Sequence, residues 1–368
     1  MKIMTVFGTR PEAIKMCPLI LELKKHNDID CKVCLTGQHR EMLQQVMKAF
    51  QITEDYNLDI MKAGQTLTTI TTDVLERMET ILKSERPDLV LVHGDTTTSY
   101  AAALAAFYQQ IAVGHVEAGL RTGNIYSPFP EEMNRLMTGR LATLHFAPTD
   151  RNRQNLADEN VTNHVYVTGN TVIDAFKVTV RKGYQYDNRQ LREADFGSRK
   201  VILVTAHRRE NLGIPLQNIC NALKRLVQEQ DDVQIVYPVH LNPTVRDTVY
   251  TILGNTDRIL LTDPIDVLDM HNLIANSYMV MTDSGGLQEE APAFGKPVLV
   301  MRTETERPEA VEAGTVKVVG VERENIYKEA KRLLTDDKVY ARMAKAVNPY
   351  GDGHASERIV CRILEYFH

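Results

Sequence analysis

The feature that most constrains this chain is its rhythm. A short apolar run, a turn and a helix-length amphipathic stretch follow one another almost from the first residue. The runs are Ile3–Phe7, Asp88–Val92, Ile111–Val116, Thr143–Ala147 and His164–Val167. A second set comprises Lys200–Val204, Val233–Tyr237, Arg258–Leu261, Tyr278–Met281, Pro297–Met301 and Thr315–Val319. They are rich in Val, Ile and Leu without clean alternation, as expected of strands buried on both faces of a parallel sheet. Strands alternating with helices predict a doubly wound α/β fold. At 368 residues the chain is long enough for two such domains. The second set restarts after a polar region, residues 177–199, which places the linker near its beginning. The expected division is residues 1–176, residues 177–355 and a last amphipathic helix, residues 356–368, with Ile359, Ile363, Leu364 and Phe367 on one face.

The net charge of −5 argues against a nucleic-acid binder. An anionic ligand must therefore be held by local cations and backbone N–H groups. No apolar run approaches the roughly 20 residues that span a bilayer, and no secretory signal is visible. The five cysteines are odd in number and scattered. Cys31 and Cys34 lie within a predicted strand, where i and i+3 point to opposite faces, and no second ligand pair accompanies them. They read as plain buried thiols, with neither a disulfide framework nor a metal site. The cytoplasm is the expected compartment.

Ligands of open parallel sheets bind outside the carboxyl ends of the strands. Six predicted strand ends carry glycine or ionisable residues. They are Gly8-Thr9-Arg10 with Lys15 beyond, His93-Gly94-Asp95, Gly114-His115-Val116-Glu117, Thr205-Ala206-His207-Arg208, Pro238-Val239-His240 and Thr282-Asp283-Ser284-Gly285-Gly286. Pro11 suits the first turn of a helix after Thr9.

The glycine pair at 285–286 lets backbone approach a ligand. The helix that follows would aim free N–H groups at a phosphate, with Ser284 as a further donor and Glu290 placed to accept sugar hydroxyls. A plain helix cap is the alternative. Arg10, Lys15 and Arg307 would hold a pyrophosphate if they faced one another across a cleft. Nothing resembles a Walker loop or a complete GxGxxG, so a nicotinamide cofactor is not indicated.

Asp95 and Glu117 follow neighbouring strands and so are expected in one cavity, with Glu131 as a third carboxylate. Crowded carboxylates raise one another's pKa, which suits general acid–base work. Each has a bland alternative: Asp95 or Thr96–Thr98 as a helix N-cap, Glu131 as an acidic first turn after Pro130.

Several segments together resemble the bacterial non-hydrolysing UDP-N-acetylglucosamine 2-epimerases. They are Phe-Gly-Thr-Arg-Pro-Glu-Ala-Ile-Lys (7–15), Val-His-Gly-Asp-Thr-Thr-Thr (92–98), His-Val-Glu-Ala-Gly-Leu-Arg-Thr-Gly (115–123), Pro-Glu-Glu-Met-Asn-Arg (130–135), Thr-Ala-His-Arg-Arg-Glu-Asn (205–211), Asp-Ser-Gly-Gly-Leu-Gln-Glu-Glu-Ala-Pro (283–292) and Arg-Pro-Glu-Ala (307–310). The resemblance runs from Met1 to Gly353. It implies a GT-B-like fold of two Rossmann-like domains around a cleft, a homodimer, and no metal or nicotinamide. It implies catalytic roles for Asp95, Glu117, Glu131 and His207, and substrate contacts from Arg10 and Lys15. Ser284, Gly285, Gly286, Glu290 and Arg307 fall in its UDP site. Met270 stands where relatives often have an aromatic near the uracil, leaving an apolar contact. Some relatives also bind a second substrate molecule as an activator. Gln38, His39, Gln65, Glu131 and His240 would fit that pocket, although Gly64 replaces an expected arginine. The implied reaction is epimerisation at C2 by loss and re-addition of UDP, feeding a cell-surface polysaccharide. The rival readings are a glycosyltransferase, a hydrolysing epimerase and a non-catalytic sugar-nucleotide sensor.

Overall fold

Both sheets are entirely parallel, and in each the strand order reverses once. The computed structural model describes residues 1–37, 40–62 and 64–367, apart from the side chains of residues 40–42. The chain divides into two units. Unit 1 is Met1–Val178 with Tyr350–His368, and unit 2 is Thr179–Pro349.

In unit 1 the elements run β1 (Lys2–Phe7), α1 (Arg10–Leu23), β2 (Asp30–Leu35), α2 (Arg40–Ala49), β3 (Tyr56–Asn57), α3 (Leu67–Glu85), β4 (Leu89–His93), α4 (Thr97–Tyr108), β5 (Ala112–Val116), α5 (Glu131–Leu141), β6 (Leu144–Ala147), α6 (Asp150–Asp158), β7 (Val165–Val167) and α7 (Thr171–Thr179). The sheet order is β3-β2-β1-β4-β5-β6-β7. Its direction reverses between β1 and β4, which makes the crevice above those two strands the natural ligand position. Alanines 101, 102, 105 and 106 of α4 are buried, and small residues there let α3 pack close through Val74, Met78 and Leu82. Cys31 and Cys34 are free thiols pushed up to about 12 by burial, so neither is a ready thiolate.

Unit 2 repeats the plan with β8 (Lys200–Thr205), α8 (Ile214–Glu229), β9 (Val233–Pro238), α9 (Pro243–Leu253), β10 (Ile259–Thr262), α10 (Val267–Asn276), β11 (Met279–Thr282), α11 (Gly285–Glu290), β12 (Val298–Val300), α12 (Pro308–Glu312), β13 (Val316–Val318), α13 (Arg323–Thr335) and α14 (Asp337–Ala344). The order β10-β9-β8-β11-β12-β13 puts its reversal between β8 and β11. Ile202, Val204, Ile235, Met279, Met281 and Leu299 from the strands, with Ile219, Leu223 and Ile326 from the helices, fill its core.

The chain then re-enters unit 1 and ends in α15 (Ala355–Phe367), which packs on α1. The return begins at Tyr350, earlier than the expected boundary at residue 356. The cause is local. The Tyr350 carbonyl accepts the Asn170 N–H at 2.7 Å. The Asp174 carboxylate accepts the N–H groups of Ala355 and Ser356 at 3.2 and 2.8 Å, so residues 350–355 are already stitched to α7. Among the described residues no helix is long and apolar enough to cross a membrane.

One turn in unit 1 tolerates only glycine. Gly119 sits at φ +88°, and a Cβ there would lie 2.1 Å from the Asn152 carbonyl oxygen. Backbone cannot step aside cheaply. Gly119→Ala is expected to cost at least about 2 kcal/mol. That should appear as a Tm lowered by about 5 °C or more in a thermal melt. An unchanged Tm would show that the turn can open.

Candidate active site

The ends of β4 and β5 lie side by side, with His93 paired in register to Val116. Glu117 therefore emerges next to His93, and its φ of +64° turns the chain sharply over the sheet edge. One Glu117 oxygen forms an ion pair with the Lys15 ammonium from α1 and accepts the Asn170 amide at 3.1 Å. The other lies 3.7 Å from His93 Nε2. The Glu117 and Lys15 side chains are only 12% and 14% exposed, so the pair is largely desolvated.

His93 is the unexpected member. It is 4% exposed, and neither ring nitrogen has a hydrogen-bond partner among the described residues. Burial pulls its pKa below the ordinary histidine value, against the opposing pull of Glu117, and Lys15 lowers it further. The result is an imidazole biased toward its neutral form beside a carboxylate paired with an ammonium. His115 plays a scaffolding part. Its Nε2 lies 2.8 Å from the Gly94 carbonyl, and burial pushes it down to about 3.

Asp95 is not the helix cap. Thr96 caps α4, its hydroxyl accepting the Ser99 N–H at 3.1 Å. Asp95 is instead held by α5. Arg135 Nη2 approaches Asp95 Oδ2 to 2.6 Å, and the Asn134 amide donates to the Asp95 carbonyl at 2.9 Å. Arg135 is itself anchored by the buried Glu132 at 2.8 Å. Glu132 also accepts the N–H groups of Thr122 and Gly123, at 2.9 and 3.0 Å. Glu131 opens α5, one turn before Asn134 and Arg135 and so on the same face. Its Oε2 is buried without a hydrogen-bond partner among the described residues. The structure shows Glu131 in the acidic first turn of α5.

Arg10 begins α1, and Pro11 lies in its first turn after the Thr9 cap. The buried Glu12 ties that turn to the β4 end. Its carboxylate accepts the N–H groups of Gly8 and Thr9 at 2.9 and 2.7 Å. It also accepts the hydroxyls of Thr96 and Ser99, at 2.6 and 2.8 Å. Glu12, Lys15 and Asp95 all face His93 electrostatically together with Glu117. The structure thus gathers Lys15, Asp95 and Glu117 around one buried imidazole at the unit 1 reversal point.

Unit 2 gathers a second set at the ends of β8 and β11. Asp283 is fully buried, and its Oδ2 accepts the N–H groups of His207 and Arg208, both at 2.8 Å, and the Asn211 amide at 3.0 Å. His207 stacks on His240, ring centroids 4.9 Å apart at 19°. Desolvation of the covered ring face pulls His207 below the ordinary value. Asp283 opposes this, and His240 and Arg208 add to it. Ser284 stands at the N-cap position of α11 without making a side-chain cap bond. A Cβ on Gly285 would meet Glu306 Oε1 at 2.9 Å and Arg307 Nη2 at 3.7 Å, so this turn, Glu306 and Arg307 adjoin. Arg307 pairs with the buried Glu289. Glu290 lies 3.8 Å from Nε2 of the buried His271, whose Nδ1 meets the Thr179 hydroxyl at 2.8 Å. Met270, half-buried, precedes His271 on α10.

Of the residues suggested for a second ligand, Gln38 and His39 lie outside the described residues. Gln65 donates its amide to the Ile60 carbonyl in unit 1, and His240 belongs to the His207 stack in unit 2. Sequence reasoning placed His93 and Asp283 at strand ends without giving them a part, and missed Glu12, Glu132, Arg135 and Asn170 as supports of the site. Only Glu12 carried a readable signal, since Thr9 and Glu12 stand three apart as a capping box.

Two doubly wound units, each with ionisable groups crowded at its reversal point, place the chain in the GT-B-like α/β class. More particularly, it belongs to the UDP-N-acetylglucosamine 2-epimerase family, whose model matches residues 21–364. The Bacillus subtilis UDP-N-acetylglucosamine 2-epimerase is 58% identical over 368 residues, covering 100% of this chain and 96% of that protein. The UDP-GlcNAc 2-epimerase of Neisseria meningitidis, solved bound to UDP-GlcNAc, superposes with a TM-score of 0.89 at 49% identity, covering 99% of this chain and 100% of that one. An S. aureus protein solved with UDP gives a TM-score of 0.89 at 52% identity, covering 100% of this chain and 96% of that one.

Proposed function

We propose that this chain interconverts UDP-N-acetylglucosamine and UDP-N-acetylmannosamine at C2, without hydrolysis, by eliminating and re-adding UDP. The observation that carries the reading is the largely buried Lys15–Glu117 ion pair beside His93, a carboxylate set next to an imidazole where water has little access. The related proteins solved with UDP-GlcNAc and with UDP support the ligand class.

The C2 hydrogen of the sugar is not acidic, because no carbonyl adjoins C2. Loss of UDP changes that. The C1–O bond breaks with both its electrons going to the UDP oxygen, and C1 becomes electron-poor. A carboxylate takes the C2 proton, and the C2–H electrons form the C1=C2 bond of 2-acetamidoglucal. Return of a proton to the opposite face of C2, with re-addition of UDP at C1, gives the epimer. Asp95, Glu117 and Glu131 are assigned to proton transfer and to the positive character at C1. Arg10 and Lys15 contact the substrate, and His207 stabilises the departing phosphate. Ser284, Gly285, Gly286, Glu290, Arg307 and Met270 are assigned to UDP. The working form is a cytoplasmic homodimer that supplies a cell-surface polysaccharide such as a teichoic-acid linkage, a capsule or a common antigen.

The test is incubation with UDP-N-acetylglucosamine in D₂O, without acceptor, followed by NMR. Deuterium at C2 with UDP-N-acetylmannosamine accumulating is the expected result. Free N-acetylmannosamine with UDP would mean hydrolysis instead. An unchanged substrate that nevertheless binds would mean a sensor.

A further inference from the structure

Asp283 lies in the sugar-nucleotide unit but has no part in the reaction described above. Its carboxylate is completely buried, and its two oxygens differ. Oδ2 accepts three hydrogen bonds, two from consecutive backbone N–H groups, His207 and Arg208, and one from the Asn211 side chain. Oδ1 has no partner among the described residues. The Asn211 amide also donates to the Met301 carbonyl at 3.0 Å, so the loop after β8 is tied through Asn211 to the end of β12 as well. A buried carboxylate is costly, and an apolar or amide residue would fill the space more cheaply. The unusual feature is where its donors lie: all three sit within five residues of the loop that carries His207.

From this geometry we infer that Asp283 is a positioning residue for His207. It fixes the loop through the two backbone N–H groups, and its charge faces the imidazole at the moment the phosphate leaves. The inference rests on the role proposed for His207. The groups around that imidazole are Arg208 on its own loop, His240 after β9, and Asp283 after β11. Behind them Tyr237 of β9 is buried, its hydroxyl donating to the Ala206 carbonyl at 2.8 Å. Within this set Asp283 draws a proton toward His207, while burial, His240 and Arg208 push it off.

The sign of the pH effect follows. Removing the negative charge lowers the proton affinity of His207. Any limb of the kcat–pH profile that reports His207 therefore moves to lower pH in Asp283→Asn. The amide can still accept from the loop through its oxygen, so the fold is retained. With the imidazole misplaced or undercharged, kcat is expected to fall by roughly 10- to 100-fold. KM for UDP-N-acetylglucosamine should stay within about threefold, because the UDP-holding turn is untouched.

A double-mutant cycle decides the matter. His207→Asn is made alone and together with Asp283→Asn, with kcat measured across pH and folding checked by circular dichroism. If Asp283 acts through His207, Asp283→Asn costs less than about threefold in the His207→Asn background. Equal costs in both backgrounds, or a lowered Tm with kcat and the limb unmoved, would overturn the inference. Wild-type turnover in His207→Asn would overturn the His207 role itself and the inference with it. Should Asp283→Asn fail to fold, Asn211→Ala serves in its place. It loosens the same loop while keeping the charge, so it should lower kcat without moving the limb, again only when His207 is present.

Discussion

Glu117→Gln is expected to lower turnover by on the order of 10²–10⁴-fold, the contribution of a positioned acid–base group. The substitution is nearly isosteric. The glutamine oxygen can still accept from Asn170, but it cannot pair with Lys15 or exchange a proton at C2. The loss should therefore fall on kcat, with KM little changed, and deuterium incorporation at C2 should fall in parallel. Initial rates and NMR exchange on the same preparations test this. If exchange persisted at the normal rate while net epimerisation stopped, Glu117 would not be the group that meets the C2 proton on the first face. Asp95→Asn and Glu131→Gln would then be compared in the same assay. Near-normal turnover in all three would sink the carboxylate assignment.

The second large effect concerns stability. Arg135 is 8% exposed and bridges Asp95 to the buried Glu132. Arg135→Met leaves two carboxylates, one of them 1% exposed, without their cation. Breaking a buried pair from one side typically costs about 3–5 kcal/mol, because the remaining charge is stranded. Urea denaturation should show a loss of that size with an unchanged m-value. The double change Arg135→Met with Glu132→Gln should recover part of it. A loss below about 1 kcal/mol would mean that water reaches Glu132 when the arginine is gone. Turnover should fall too, since Asp95 would lose the guanidinium that aims it.

How much of this was readable beforehand depended on the kind of interaction. The strand rhythm announced the two sheets because burial on both faces leaves a one-dimensional trace in the residue types. Tyr56–Asn57 left none: a two-residue edge strand is defined by its pairing with β2. Several strands run one residue further than their apolar runs, through His93, Thr205, Thr262 and Thr282. Sheet pairing extends as far as the neighbouring backbone allows, whatever the polarity of the side chain. The carboxylates Asp95 and Glu117 stood out because strand ends are predictable positions. Their supports did not. Glu132 and Arg135 stand in sequence only as members of the 130–135 motif, and it is the packing of α5 over the β4 end that turns them inward. In sequence Asp283 belongs to the phosphate turn at 282–286, whereas the three donors that define it come from a loop some seventy residues earlier. Long-range hydrogen bonds of this sort leave no local pattern.

The detour of the chain through residues 179–349 carries a consequence for biosynthesis. A protein made from its N-terminus completes all of unit 2 before α15 exists. During that interval unit 1 has its sheet but lacks the helix that covers α1, and Asp174 lacks the two N–H groups it accepts in the finished fold. Unit 2, continuous in sequence, can close its core at once, whereas unit 1 must keep a half-built surface until residues 350–367 arrive. Unit 1 is thus the last to be sealed, and the nascent chain passes through a stage in which unit 2 is finished and unit 1 is not.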